Sequence, residues 1–401
     1  MKQIPWSSLS ARSCRNRRKG CNFAWEQCKL GDVAKITMGQ SPNSKNYTDN
    51  PKDHILVQGN ADMKDGQVHP RIWTTEITKI ADKGDLILSV RAPVGDIGKT
   101  SYDVVIGRGV AAIKGNEFIF QLLKRMKTVG YWTKYSTGST FESINSLEIN
   151  NAVINLPKEH EQNKVGKILS YMDHAITLHE EKKRQLERLK SALLKKMFAD
   201  KSGYPVVRFK EFCDEWQGTK LRKISKIVRG ASPRPISDPK WFDNDSNVGW
   251  LRISDVTSQD GRIHHLKQHI SKQGQAKTRV ISEPHLLLSI AATVGKPLIN
   301  YVKIGVHDGF LIFIEPQFDL EFMFQWLEMF RPQWSKYGQP GSQINLNSDL
   351  VKNQIIYLPS REEQNQIGIF LNQIDSLINL HQQKINNINS VKKSLLQKMF
   401  I

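Results

Sequence analysis

Two long stretches of the chain repeat apolar residues with the period of an α-helix. From Val165 to Leu193 they recur at spacings of three and four for about five heptads, which is typical of a coiled-coil seam. The same spacing runs from Ile367 to Leu395, and residues 168–198 and 369–400 contain neither Gly nor Pro. The pattern predicts two helices of about 34 residues, each about 50 Å long.

The apolar stripe of each helix needs a partner, so we expect the two helices to pair. The predicted seam consists of Met172, His179, Lys182, Leu186, Leu189, Leu193, Ile374, Leu377, His381, Lys384, Ile388 and Leu395. In one antiparallel register, His179 faces Lys384 and Lys182 faces His381, while apolar positions face one another. This polar layer either fixes the register or is a solvated interruption copied by duplication, and both interpretations stay open.

Shorter apolar runs separated by Gly-rich turns precede each helix. Residues 85–90, 104–106 and 110–113 read as strands, followed by a helix at 118–127. The second half repeats this order, with strands at 286–290, 298–302 and 310–314 and a helix at 320–330. Each half therefore predicts a compact mixed α/β domain with long loops.

The chain is an internal repeat. The residues that recur 202 positions later are Leu156, Pro157, Glu161, Gln162, Gly166, Asp173, Leu178, His179, Leu193, Leu194, Lys196, Met197 and Phe198. Looser matches follow upstream, at a separation of 191 for Trp25, Gly39 and Ser41 and of 200 for Leu88 and Gly109.

We therefore expect an α+β protein in which two α/β domains are separated by two long antiparallel helices that form a coiled coil, with pseudo-two-fold repetition. The predicted segments are 1–24, a basic and disordered start; 25–157, domain 1; 158–199, helix 1; 200–215, a linker; 216–359, domain 2; and 360–401, helix 2. A mobile phosphate-binding arm is the alternative for 1–24.

Charge and cysteine content narrow the class of protein. Lys and Arg number 58 against 39 Asp and Glu, a formal charge of +19, which favours a nucleic-acid partner. The chain has no apolar run of about 18 residues, the length that would indicate a membrane span, so we expect a cytoplasmic protein. Cys14, Cys21 and Cys28 lack a zinc-type spacing, and we expect no metal and no cofactor.

The loops contain Gly for close backbone approach and basic or amide side chains for phosphates and base edges. The residues predicted to contact DNA are Gly39, Ser41, Arg91, Arg108, Lys134, Tyr135, Thr137, Gly138, Ser139, Arg229, Ser232, Arg234, Lys240, Arg252, Lys336, Tyr337, Gly341, Ser342 and Gln343.

Catalytic motifs are incomplete. The run from Gly95 to Thr100 ends like a phosphate-binding loop, but position 93, where the motif needs Gly, is Pro. A strand-connecting turn is expected there instead. Asn50-Pro51 matches only the start of an amino-methyltransferase motif. The sequence therefore predicts no catalytic residues.

Taken together, the paired motifs resemble the specificity subunit of type I restriction-modification systems. They are Trp25-Glu26-x-x-Lys29-Leu30-Gly31-Asp32 and Trp216-x-x-x-Lys220-Leu221, the two Leu-Pro-x-x-x-Glu-Gln helix starts at Leu156 and Leu358, and the two Lys-Met-Phe ends. The resemblance covers nearly everything after residue 24.

This resemblance implies two target-recognition domains that each read half of a split DNA site, with the helices setting their spacing. It implies two methylating and two restriction subunits as partners, which would carry out adenine methylation and DNA cleavage. The chain itself would be non-catalytic. The alternative is a coiled-coil scaffold that binds proteins and has no role on DNA.

Overall fold

The structure is a computed structural model and describes residues 25–135, 143–291, 293–334 and 346–399. Its contacts divide these residues into two compact units. The described residues of Met1–Leu178 and Lys384–Ile401 form the first unit, and those of His179–Gln383 form the second.

The first half of the chain contains short strands and helices followed by one long helix. These elements are β1 Glu26–Lys29, α1 Leu30–Val33, β2 Ile36–Met38, β3 Tyr47–Thr48, β4 His54–Val57, β5 Met63–Lys64, β6 Gln67–Val68, β7 Ile72–Thr74, β8 Ile80–Ala81, β9 Leu86–Ser89, β10 Ile97–Lys99, β11 Val104–Ile106, β12 Val110–Ile113, α2 Glu117–Thr128, α3 Ser146–Asn150, β13 Val153–Leu156 and α4 Glu159–Lys196.

The second half has a similar but not identical order of elements. They are β14 Gln217–Lys220, α5 Leu221–Ile224, β15 Lys226–Arg229, β16 Gly249–Leu251, α6 Ile253–Ser258, β17 Arg262–Ile263, α7 Lys272–Gln275, β18 Arg279–Ile281, β19 Leu286–Ser289, β20 Pro297–Asn300, β21 Ile304–Val306, β22 Phe310–Ile314, α8 Leu320–Trp334, α9 Ser348–Asn353, β23 Ile355–Leu358 and α10 Arg361–Met399.

The two units share the order of five strands in their larger sheet, to which the first unit adds β5. In the first, the strand order is β2-β12-β9-β10-β6-β5, and in the second it is β15-β22-β19-β20-β17. A further sheet contains β4-β11-β8 in the first unit and β16-β21-β18 in the second, with the first of the two pairings parallel and the other antiparallel in both. The predicted mixed α/β fold and the predicted strands are confirmed, with β20 shifted one residue toward Pro297.

A helix covers the larger sheet in each unit because its apolar face has nowhere else to be buried. In the first unit, α2 places Phe118 and Leu123, both 0% exposed, in one core with Leu88 of β9 and Leu169 of α4. In the second, Phe322 of α8 lies in the equivalent core with Trp216, Phe313 and Leu371.

The repeated Glu-Gln pair attaches each long helix to its own domain. Gln162 donates to the carbonyl of Pro157 at 2.8 Å and accepts from Asn116 at 2.8 Å. Its repeat copy Gln364 donates to the carbonyl of Pro359 at 3.0 Å and accepts from the backbone N–H of Asp319 at 2.9 Å. The motif thus satisfies polar groups at the start of the helix.

Both predicted long helices are confirmed as α4 and α10. In the first unit, Lys392 of α10 forms an ion pair with Asp173 of α4. In the second unit, Lys190 of α4 forms an ion pair with Asp375 of α10. Because Lys392 and Asp375 are the repeat copies of Lys190 and Asp173, both units make the same ion pair with the helices exchanged.

The seam positions differ in burial. Ile374 is buried; Met172, His179, Leu186, Leu193, His381, Ile388 and Leu395 are half-buried; and Lys182, Leu189, Leu377 and Lys384 are exposed. His179 contacts His381, three residues before its predicted partner Lys384. The seam as a whole and the domain boundaries stay predictions.

Other expectations concern turns, membranes and metals. Gly95 lies in the turn between β9 and β10 at φ 86°, so the strand-connecting interpretation is confirmed. Among the described residues, no helix has the length and apolar character needed to cross a membrane. Those residues also contain no group of three or more His, Cys, Asp or Glu side chains arranged to hold a metal ion. Cys28 is buried and Cys213 is exposed.

Candidate nucleic-acid interface

An open polar cleft of about 520 Å³ lies in the first unit, beside the turn between β11 and β12. It brings together Ser41, Arg91 and Arg108, which the sequence predicts to contact DNA. The lining residues are Ser41, Pro42, Ser44, Tyr47, Gln58, Gly59, Asn60, Ser89, Arg91, Ala92, Arg108 and Gly109. The cleft thus presents two cations, two amides and several hydroxyls.

Backbone contacts hold the walls of this cleft tightly. The N–H of Arg108 donates to Ser41 Oγ at 3.1 Å, which joins the loop after β2 to the β11–β12 turn. A Cβ at Gly39 would lie 2.1 Å from the carbonyl oxygen of Gly107, and one at Gly109 would lie 2.0 Å from that of Gln58. Only glycine allows this close approach.

The two arginines of the cleft are exposed. Within the described ranges, neither side chain has an acidic partner. A guanidinium that is exposed and unpaired keeps its five donors available for phosphate or for the edge of a base. Of the predicted residues, Gly39 lies beside the cleft and supports it without lining it.

The second unit builds the same loop junction with different side chains. The N–H of Asp308 donates to Ser232 Oγ at 3.2 Å, and a Cβ at Gly230 would lie 2.2 Å from the carbonyl oxygen of His307. Ser232 and Gly230 are the repeat copies of Ser41 and Gly39, and Asp308 lies at the repeat position of Arg108. The same backbone frame therefore carries an arginine in one unit and an aspartate in the other.

Three donors bind Asp308 and the loop around it. Ser232 Oγ donates to Asp308 Oδ1 at 2.9 Å, Arg234 Nη2 to Oδ2 at 2.6 Å, and Arg229 Nε to the carbonyl oxygen at 2.6 Å. Burial alone would raise the pKa of Asp308, but the hydrogen bond from Ser232 and the nearby His307, Arg234 and Arg229 lower the pKa below its ordinary value. The carboxylate is therefore anionic near neutral pH.

The remaining predicted residues are placed elsewhere or engaged locally. Lys134 stands over the ring of Tyr131 at 3.6 Å and that of Tyr135 at 4.9 Å. Lys240 forms an ion pair with Asp238 at 2.7 Å. Arg252 lines a second cleft of about 320 Å³ in the second unit, with Ile236, Phe242, Trp250, Gln268 and His307.

Some predicted DNA-contacting residues lie outside the described residues, and they stay predictions. They are Thr137, Gly138, Ser139, Lys336, Tyr337, Gly341, Ser342 and Gln343.

Sequence reasoning missed the two amides of the first cleft, Gln58 and Asn60. They flank Gly59 directly after β4, where Asp62 Oδ2 accepts from the N–H of Gln58 at 2.8 Å and from that of Gly59 at 3.2 Å. A polar run around a glycine at the end of an apolar strand was a usable signal, because it repeats the arrangement after β2.

Comparison with known proteins identifies a protein family that the chain matches. The profile of the type I restriction modification DNA specificity domain matches residues 22–188 and again residues 213–390. The chain is similar to the putative type I restriction enzyme MjaX specificity subunit of Methanocaldococcus jannaschii, with 32% identity over 186 residues, which are 44% of this chain and 43% of that protein. The MjaVIII specificity subunit of the same organism is 22% identical over 396 residues, which are 93% of this chain and 91% of that protein.

Solved structures share the fold. The type I restriction-modification S subunit from M. genitalium has a TM-score of 0.64 at 13% identity, covering 96% of this chain and 98% of that one. A chain from a study of complex assembly and conformational transition of the type I R-M system has a TM-score of 0.53 at 18% identity, covering 94% and 97%.

Proposed function

Because the chain belongs to the family of type I restriction-modification DNA specificity subunits, we propose that it reads a two-part DNA site, one part with each unit. The observation that carries the proposal is the loop junction that both units share. Its backbone geometry is the same, but its central side chain is Arg108 in one unit and Asp308 in the other. Two units with the same loop backbone but different side chains at its centre are suited to recognise two different DNA sequences.

The helices α4 and α10 would set the spacing of the two parts. In this proposal they form an antiparallel coiled coil, and the repeat gives the chain a pseudo-two-fold arrangement. The exchanged ion pairs Asp173–Lys392 and Lys190–Asp375 support it, because each fixes a point where one helix contacts the other. A spacing on the order of one DNA turn, about 34 Å, suits readers of a split site.

The chain would act as the non-catalytic subunit of a larger cytoplasmic complex. Two methylating subunits would modify adenines at the site that this chain selects, and two restriction subunits would cleave DNA. The incomplete Gly95 motif supports this division of labour, since Gly95 serves as the turn between two strands. An absence of ATP hydrolysis by the purified chain is the expected result.

A binding experiment separates this function from that of a protein-binding scaffold. The full chain is titrated with a duplex of random sequence at about 50 and 200 mM salt, and phosphate contacts should weaken binding by about tenfold or more at the higher salt. The duplex that contains the methylated site of the system should bind more tightly than a scrambled duplex at the same salt. Salt-independent binding, or no binding to either duplex, contradicts the proposal.

A further inference from the structure

We propose that Arg108 and Asp308 are specificity-determining residues at equivalent positions of the two readers, Arg108 selecting guanine and Asp308 selecting cytosine. The inference rests on the proposed function, since it presumes that each unit reads one part of the site. It goes beyond that function by assigning one position in each half-site to one side chain.

The loop junction holds both side chains in the same way. In each unit a serine hydroxyl accepts the backbone N–H of the residue, at 3.1 Å for Arg108 and 3.2 Å for Asp308. The preceding loop contacts the same turn, because the N–H of Gln40 donates to Ile106 at 2.8 Å and that of Ala231 to Val306 at 3.0 Å. A rigid backbone fixes where each side chain starts, which reading a base edge requires.

The chemistry of the two side chains is opposite. The guanidinium of Arg108 offers donors that match the two acceptors of guanine, O6 and N7, in the major groove. The carboxylate of Asp308 offers only acceptors and suits the amino group of cytosine. An arginine opposite the cytosine amino group would place two donors against each other. An aspartate opposite guanine O6 would place two acceptors against each other.

Arg108 is better suited to contact a base than a phosphate, because the same cleft contains other side chains that can hydrogen-bond to base edges. Gln58 and Asn60 line the same cleft, and their amides can donate and accept beside the guanidinium. Arg91 also lines the cleft and can neutralise the DNA backbone. Asp308 keeps acceptor capacity although Ser232 and Arg234 each bind one of its oxygens, since each oxygen has a second lone pair.

The test uses the complex of the chain with its methylating subunits and the DNA site read from the methylated adenines of cells that carry the system. A panel of duplexes carries each of the four base pairs at every specified position. Arg108→Ala should lower discrimination at one guanine of one half-site by about tenfold to a hundredfold, and Arg108→Gln should shift that position toward adenine. Asp308→Asn should lower discrimination at one cytosine in the other half-site.

Lys35→Ala is the matched control. Lys35 is an exposed cation at the far end of β2, where Ile36 pairs with Ile113, and it should leave the panel unchanged. Melting and assembly of each variant are measured first, and Arg108→Gln, which keeps a long polar side chain, carries the test if Arg108→Ala does not assemble.

Two results would overturn the inference and leave the proposed function standing. One is a uniform loss of affinity for all duplexes with an unchanged order of preference, which indicates a phosphate contact. The other is a panel identical to that of the unmodified complex. If the unmodified complex shows no base preference at the positions of either half-site, the proposed function itself is contradicted.

Discussion

His179 and His381 lie against each other, with their Nδ1 atoms 2.9 Å apart and their ring centroids 5.1 Å apart. They occupy the same position in the two copies of the repeat, 202 residues apart, so the two copies of this position contact each other. One Nδ1 must donate and the other accept, which requires at least one neutral ring in the contact. The polar layer predicted from the sequence therefore joins two histidines, not a histidine and a lysine.

Replacing both histidines with leucine is expected to raise the melting temperature of the chain. The rings are half-buried and bonded to each other, and replacing both partners of such a contact with apolar side chains often stabilises a helix pair, because a polar layer in a coiled-coil seam costs stability. The ion pairs of Lys190 and Lys392 still fix the register, so the gap between the two parts of the DNA site should not change. A changed gap in the methylated motif would show that the histidines set the register.

Asp375→Ala is expected to destabilise the second unit by about 3–5 kcal/mol, the usual cost of breaking a buried ion pair. Its side chain is 7% exposed and binds Lys190, Arg262 at 3.3 Å and Gln325 at 2.8 Å, all of which would lose an acceptor. Glu187→Ala, which removes a surface pair between the exposed Glu187 and the half-buried Lys183, should cost about 0.5 kcal/mol or less. Chemical denaturation of both variants gives the comparison, and equal losses would contradict it.

The first unit should lose stability in acid through Asp173. Burial raises the pKa of Asp173, but hydrogen bonds from Lys392 and Gln121 and the charge of Lys124 lower the pKa below the ordinary value of 3.8. A lowered folded-state pKa means that the stabilisation is present above pH 3.8 and is lost as the pH falls through the folded value.

Thermal unfolding as a function of pH measures this contribution. Asp173→Asn should melt at a lower temperature than the unmodified chain near pH 7, and the two melting temperatures should converge below about pH 3.8, the ordinary value of the carboxyl pKa. A difference that stays constant across this range would show that the charge of Asp173 contributes nothing.

Gly166→Ala should destabilise the chain although alanine favours helices. A Cβ at Gly166 would lie 3.0 Å from Glu117 Cβ and 3.0 Å from the backbone nitrogen of Phe118, so α2 and α4 would have to separate. We expect a loss of about 1–3 kcal/mol. The control is Ser191→Ala at an exposed position of the same helix, which should change stability little. Stabilisation by both variants would contradict the close packing.

Local patterns predicted the longer helices and the buried strands, but not short strands such as β3 and β5, of two residues each, nor which strands pair. The apolar run around Leu88 and the helical spacing after Val165 predict β9 and α4 because burial of these residues depends on their neighbours in sequence. The pairing of β14 with β23, in which Gln217 faces Leu358, joins residues too distant for any local pattern.

The candidate site was predicted only in part, because its residues also come from distant parts of the sequence. Arg91 and Arg108 were found by their charge, and the structure brings them into one cleft. Asp308, which we propose as a base-reading residue, was not among the predicted residues because no acidic side chains were considered, although the alignment of Gly109 with Gly309 already places it at the repeat position of Arg108. Lys240 and Arg234 were predicted from charge alone, and both are bound to nearby carboxylates.

The most direct test of the central claim is to sequence the methylated adenines of cells in which residues 25–157 have been exchanged for those of a related chain, with the partner subunits unchanged. We predict a two-part motif in which one half changes while the other half and the gap stay the same. A motif that changes in both halves, or one that is continuous in the unmodified cells, would contradict the account.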